Sequence, residues 1–168
     1  FLHSAIIIDL LDGRLPFDAV AGHSIGEYSA LYSAGVLSFK DALNLVSLRG
    51  KLMFEAGEIE QGTMFAIIGL EDEKVEELCK ELTDKGNGNI IVPANYNSPN
   101  QIVVSGSAQY LRDNVSLFKK AGAKIVKELV VSGAFHSPLV APAKKELEKA
   151  ILEIQFKKPL IPVYTNVN

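Results

Sequence analysis

The pattern of apolar and polar positions divides the chain into short elements. Residues 2–11 (LHSAIIIDLL) are mostly apolar and predict a short buried helix, ended by Asp12-Gly13. Residues 17–21 (FDAVA) predict a short buried strand that runs straight into Gly22-His23-Ser24-Ile25-Gly26. A helix over 24–34 follows, stopped by Gly35. Ser38 then stands at a helix N-cap with Asp41 at the third helical position, near the positive end of the dipole. Phe39, Ala42, Leu43, Val46, Met53 and Phe54 recur at helical spacing beyond it. Gly57 and Gly62 bracket the exit of this helix.

The middle of the chain changes rhythm. Residues 63–69 suit a strand, 71–84 a charged amphipathic helix, and 90–94 and 101–105 two more strands. Asn97-Ser98-Pro99-Asn100 supplies the turn between them. Residues 107–121 suit a helix stopped by Gly122, and 124–131 a strand. The order β-α-β-β-α-β is that of a ferredoxin-like subdomain inserted over residues 62–131. After it, Ser137-Pro138 combines an N-cap serine with a proline at the first helical position. Leu139, Val140, Ala143, Leu147, Ile151 and Ile154 give that helix an apolar face to about residue 155, and 160–164 suit a last strand. The outer parts, 1–61 and 132–168, alternate strand and helix like pieces of a parallel α/β sheet, so the fold class is α/β.

Composition narrows the function. The 168 residues are 48% hydrophobic and 22% charged, with a net charge of −3. That is too apolar for a disordered chain, and without a basic cluster it carries no nucleic-acid footprint. One cysteine cannot form an internal disulfide, which fits a reducing, cytoplasmic setting. Three histidines far apart lack metal-ligand spacing, so no metal is expected. The opening FLHSAIIIDLL is too short to span a membrane. It begins without Met, and both ends are apolar, as if the chain were cut through a core.

Gly22-His23-Ser24-Ile25-Gly26 is a G-x-S-x-G between a predicted strand and a predicted helix. That context fits a nucleophile elbow, in which two glycines permit a sharp turn and the serine meets the helix N-terminus. The Ile25 N–H would then be an oxyanion donor. The competing reading is a glycine-rich turn with a capping serine. A nucleophilic serine needs a base. His3 lies in an apolar helix and suits packing or the surface. His23 adjoins Ser24, so its side chain should point away and support the turn by hydrogen bonding. His136 sits where a β stretch meets a helix start, where open parallel sheets gather ligand sites, and is the best base candidate. A structural loop histidine is the other reading. Arg49 has Leu45, Val46, Leu52 and Met53 as helix neighbours. It either snorkels to water or clamps a substrate carboxylate with its planar fork.

The run Ala21-Gly22-His23-Ser24-Ile25-Gly26-Glu27-Tyr28-Ser29-Ala30 resembles the active-site signature of malonyl-CoA:acyl carrier protein transacylases. Arg49-Gly50-Lys51-Leu52-Met53, Gly62-Thr63-Met64, Asn95-Tyr96-Asn97-Ser98-Pro99, Gly133-Ala134-Phe135-His136-Ser137 and Thr165-Asn166-Val167 resemble the family in the same order. The resemblance covers essentially the whole chain. It implies an α/β-hydrolase-like core with the ferredoxin-like insertion, about half of a family enzyme. Ser24 then corresponds to the acylated nucleophile, His136 to its base, Arg49 to the malonyl carboxylate's partner and Ile25 to an oxyanion donor. Met53 and Asn97 match positions near the substrate pocket. Phe135 matches the A-F-H form that accompanies malonyl selection, where a bulky ring fills the space an α-methyl group would need. The family also carries a glutamine-bearing motif and a histidine-orienting segment that lie outside these residues.

The implied reaction moves malonyl from malonyl-CoA to the phosphopantetheine thiol of acyl carrier protein, in fatty-acid synthesis. No cofactor beyond those substrates is expected, nor a nucleic-acid or membrane partner, and a monomer is expected. The alternatives are a serine esterase or thioesterase of α/β-hydrolase type, an acyltransferase domain of a polyketide synthase, and a non-catalytic scaffold.

Overall fold

The computed structural model describes residues 1–11 and 17–167. Its elements are α1 (Leu2–Leu10), β1 (Val20–Ala21), α2 (Gly26–Ser33), α3 (Phe39–Ile59), β2 (Gly62–Ile68), α4 (Asp72–Asp84), β3 (Ile91–Ser98), β4 (Gln101–Ser107), α5 (Ala108–Asn114), α6 (Ser116–Lys120), β5 (Ile125–Glu128), α7 (Ala141–Leu152) and β6 (Val163–Tyr164), with a 3₁₀ turn at Pro138–Val140. They divide into two compact units. The first comprises residues 1–51 and 146–168, the second residues 52–145.

The first unit is built on a two-stranded parallel pair. Val20 lies opposite Val163 and Ala21 opposite Tyr164. Both strands are shorter than their apolar runs suggest, since only these residues share a ladder. α2 ends in a Schellman motif: Gly35 takes φ +73°, its N–H bonds to the Tyr32 carbonyl, and the Val36 N–H bonds to the Leu31 carbonyl. α3 starts where the capping pattern predicts. The Ser38 hydroxyl accepts the Asp41 N–H at 3.1 Å and donates to the Asp41 carboxylate at 2.6 Å. Leu37, Ala42 and Leu45 form a small core, on which Tyr28, Leu31, Leu147 and Ile151 pack. Phe1, Tyr32 and Phe39 meet as an aromatic trio with ring centroids 5.7–6.1 Å apart. The predicted helix stop at Asp12-Gly13 lies outside the described residues.

The second unit is an antiparallel sheet in the order β3-β4-β2-β5, with helices on one face. β2 pairs with β4 from Gly62–Ser107 to Ile68–Gln101 and with β5 from Phe65–Glu128 to Ile68–Ile125. Alternate residues Phe65, Ile67, Ile102 and Val104 face Val75, Cys79 and Leu82 of α4, Leu111 of α5 and Phe118 of α6. β3 runs on to Ser98, beyond the expected Ala94, because β4 offers a ladder that polar residues can join. It slips register after Pro93, which has no N–H, and again after Tyr96. The hairpin closes at Pro99-Asn100, with Asn100 at φ +59°.

The helix expected over 107–121 is two helices. α5 ends at Asn114, whose side-chain amide donates to the Tyr110 carbonyl at 2.8 Å, and α6 starts at Ser116 after Val115. Among the described residues, no helix is long and apolar enough to cross a membrane.

Candidate active site

In the first unit, β1 delivers the chain into a tight turn that leaves no room for a side chain at its first residue. A Cβ on Gly22 would lie 2.1 Å from the backbone of Gly26, so only glycine lets strand and helix touch here. Gly26 is different: a Cβ there meets nothing within 4 Å among the described residues. The expectation that both glycines relieve clashes therefore holds for Gly22 alone. The left-handed backbone falls instead on Ser24, at φ +54°. Such a conformation costs a non-glycine residue about 1–3 kcal/mol and persists only where its surroundings enforce it.

The enforcement is visible in the turn. The N–H groups of Gly26, Glu27 and Tyr28 bond to the carbonyls of His23, Ser24 and Ile25 at 2.9, 3.1 and 3.3 Å. The Ser24 N–H donates to the Asn166 side-chain carbonyl at 3.0 Å. The Ile25 N–H takes no part in this set, and Ile25 itself is exposed at the start of α2. His23 contributes its carbonyl to the turn, with its side chain exposed.

Arg49 reaches the same serine from α3. Its Nη2 donates to Ser24 Oγ at 2.9 Å. The side chain is half-buried. A guanidinium has five donors in a planar fork, so one N–H on Ser24 leaves others for an anion. Tyr28 feels the same charge. Burial pushes its hydroxyl above the ordinary tyrosine value, Arg49 offsets part of that, and Glu27 adds to it. Beside this turn, α2 and α3 with Ile151, Phe156 and Val163 enclose a cavity of about 210 Å³, mostly apolar with Glu27 and Tyr28 in its wall.

The remaining sequence candidates lie in the second unit. Met53 is half-buried on α3, and Asn97 is exposed near the β3–β4 hairpin. Phe135 is half-buried, with its ring 3.5 Å from where a Gly133 Cβ would stand. His136 has φ +57°, the other functional candidate held left-handed. It precedes Ser137, whose buried hydroxyl donates to the Ala134 carbonyl at 2.6 Å and caps the following turn by accepting the Leu139 N–H. The loop around it is pinned by contacts that exclude side chains: a Cβ on Gly62 would lie 2.3 Å from Ala134, and one on Gly57 would lie 2.3 Å from the Ser132 carbonyl oxygen. No cluster of three or more potential metal ligands occurs among the described residues. Cys79 is buried in the sheet–helix core, and burial pushes its thiol up to about 12, which leaves it protonated and unreactive.

Sequence reasoning did not single out Asn166, which contacts the serine turn from the far end of the chain. The only signal for it was the terminal Thr165-Asn166-Val167 run.

Comparison with known proteins gives a consistent picture. The acyl transferase domain family matches residues 12–168. A malonyl CoA-acyl carrier protein transacylase of Staphylococcus aureus (strain COL) is 42% identical over 166 residues, which are 99% of this chain and 53% of that protein. The solved structure of the malonyl CoA-acyl carrier protein transacylase from Coxiella burnetii superposes with a TM-score of 0.91 at 38% identity, covering 98% of this chain and 52% of that one. A malonyl-transacylase solved in complex with a type II PKS acyl-carrier protein gives 0.91 at 41% identity, covering 98% and 53%. The chain thus spans about half the length of the curated relatives it matches.

Proposed function

The chain belongs to the acyl transferase domain family, and on that premise we propose that the protein transfers a malonyl group from malonyl-CoA to the phosphopantetheine thiol of an acyl carrier protein. The observation that carries this reading is the Ser24–Arg49 pair: a serine held left-handed at a strand–helix turn, with a guanidinium on its hydroxyl. An ordinary esterase has no use for a cation there. An acyl donor that ends in a carboxylate does.

In the proposed reaction Ser24 Oγ attacks the malonyl thioester carbonyl while His136 accepts the hydroxyl proton. The Ile25 N–H, left out of the turn's own bonds, stabilises the oxyanion. The C–S bond breaks, coenzyme A leaves with the proton from His136, and a malonyl-serine ester remains. The carrier-protein thiol then attacks that ester, His136 again relaying the proton, and Ser24 is released. Arg49 holds the malonyl carboxylate through both halves by two parallel N–H···O bonds. Met53 and Asn97 line the acyl path, Phe135 limits branching next to the carboxylate, and His23 supports the turn.

The same reading covers architecture and setting. The parallel β1–β6 pair with its serine turn supports an α/β-hydrolase-like core over 1–61 and 132–168. The order β3-β4-β2-β5 supports a ferredoxin-like subdomain over 62–131. No cofactor other than the two thioester partners is needed, and a cytoplasmic monomer working in fatty-acid synthesis fits. A carrier protein from polyketide synthesis is the second reading, favoured by the similar malonyl-transacylase solved with a type II PKS acyl-carrier protein.

The test is acyl-enzyme trapping on the full-length protein. Brief mixing with malonyl-CoA should leave one malonyl adduct on Ser24 by peptide mass spectrometry, and none in Ser24→Ala. Addition of acyl carrier protein should clear the adduct by transfer. An adduct elsewhere, or release only as free malonate, rejects the proposal.

A further inference from the structure

We propose that Asn166 is the positioning residue that holds Ser24 in its strained, attack-ready backbone conformation. This rests on the reading of Ser24 as the nucleophile.

The parallel ladder supplies the setting. β1 and β6 are paired through Ala21 and Tyr164, and the Val20 N–H bonds to the Pro162 carbonyl. At Gly22 the first strand leaves the ladder to make the serine turn. Its backbone groups can no longer be met by the neighbouring strand. The Asn166 side chain, two residues beyond the end of β6, takes over that pairing. Its Nδ2 donates to the Gly22 carbonyl, and its Oδ1 accepts the Ser24 N–H at 3.0 Å. One planar carboxamide therefore spans Gly22, two residues before the turn's apex, and Ser24 at the apex, acting as a short piece of strand edge.

The carboxamide is itself fixed. The Asn166 backbone N–H donates to the Glu27 carboxylate at 2.8 Å, in the first turn of α2. Asn166 is thus bonded to the entry (Gly22), the apex (Ser24) and the exit (Glu27) of one six-residue turn. A left-handed serine relaxes toward ordinary backbone unless its neighbours over-determine it. Relaxation would rotate Ser24 Cα and re-aim Oγ, and a misplacement of about 1 Å can cost on the order of a hundredfold in rate. Only a side chain carrying both a donor and an acceptor at this reach can grip both groups. Aspartate keeps the acceptor but sets a second oxygen against the Gly22 carbonyl.

The inference separates from a structural role by the step it affects. Asn166→Ala and Asn166→Asp would be made in the full-length protein, and the monodisperse folded fraction of each followed by single-turnover acylation with malonyl-CoA. Both should acylate Ser24 at least about tenfold more slowly, with KM for malonyl-CoA changed less than about threefold and the melting temperature near that of the parent. Either variant, folded and acylating within about twofold of the parent, overturns the inference, as does a loss that lies in KM alone. If Asn166→Ala does not fold, Asn166→Asp decides. If neither folds, the residue is structural and the inference fails. A parent that is not acylated on Ser24 instead removes the proposed function, a different result.

Discussion

The two units invest their apolar residues differently. In the second, Phe65, Ile67, Ile91, Ile102, Val104, Leu111 and Phe118 are sealed between one face of the sheet and three helices. In the first, the buried cluster among the described residues is Leu37, Ala42 and Leu45, while Leu2, Ile6, Ile7 and Leu10 of α1 stand exposed. Yet it is the first unit that holds the strained serine and the arginine on its hydroxyl. The serine turn is kept in shape by directed hydrogen bonds and by the bare backbone contact at Gly22, where the sheet unit is kept by apolar mass. Burial is non-directional, so it can hold a sheet but cannot set one backbone torsion. Hydrogen bonds with fixed donors and acceptors can.

The largest expected effect tests the apolar half of that contrast. Phe118 is fully buried on α6 against the sheet. Phe118→Ala should destabilise the second unit by about 3–5 kcal/mol through lost burial and the cavity left behind. Hydrogen exchange at β2 and β4 should accelerate accordingly, while the amides of β1 and α2 exchange as before. A loss spread equally over both units would mean that they do not unfold separately.

Next in size is the directed contact. Arg49→Ala should lower malonyl transfer by about 2–3 kcal/mol, some 30- to 150-fold in kcat/KM, and leave the slow transfer of acetyl from acetyl-CoA within about threefold. Equal losses with both donors would show that Arg49 acts on Ser24 and not on the substrate carboxylate. Stability should change little, because a half-buried cation leaves no apolar core behind.

What the sequence made legible follows the same division. α3 and α4 are where periodicity puts them, because one apolar stripe suffices to place a helix on a core; α1 forms where expected, but of the buried helix its apolar run predicts only Ala5 is buried. The serine turn was legible from Gly22 and Ser24, and the β2–β5 order from turn residues and alternation. Three features were not. Ser24 itself carries the left-handed torsion, although glycines stand on both sides of it, because the torsion is imposed by partners remote in sequence. The Arg49–Ser24 bond joins residues 25 apart, and the Asn166–Ser24 bond residues 142 apart; no periodicity reports either. The break at Val115 leaves no mark in the spacing of apolar residues over 107–121.

The smallest effect concerns how each unit starts a helix. α3 is capped: the Ser38 hydroxyl accepts the Asp41 N–H, and Asp41 places a carboxylate in the first turn. α4 has Glu71 at its N-cap, whose side chain makes no cap bond, and its first turn carries Asp72 and Glu73 instead. The hydroxyl bond at the start of α3 is one that α4 lacks. Ser38→Ala should therefore cost about 1 kcal/mol, read as a lower urea midpoint and faster exchange at the start of α3. Glu71→Ala should change stability by less than about 0.5 kcal/mol. Arg49 lies about three turns beyond Ser38 on the same helix, and fraying at a cap is confined to the first turn. Malonyl transfer below the melting range should thus survive Ser38→Ala within about twofold. A larger loss would show that the helix start itself aims the guanidinium at Ser24, and that the division between apolar support and directed chemistry runs through α3 and not beside it.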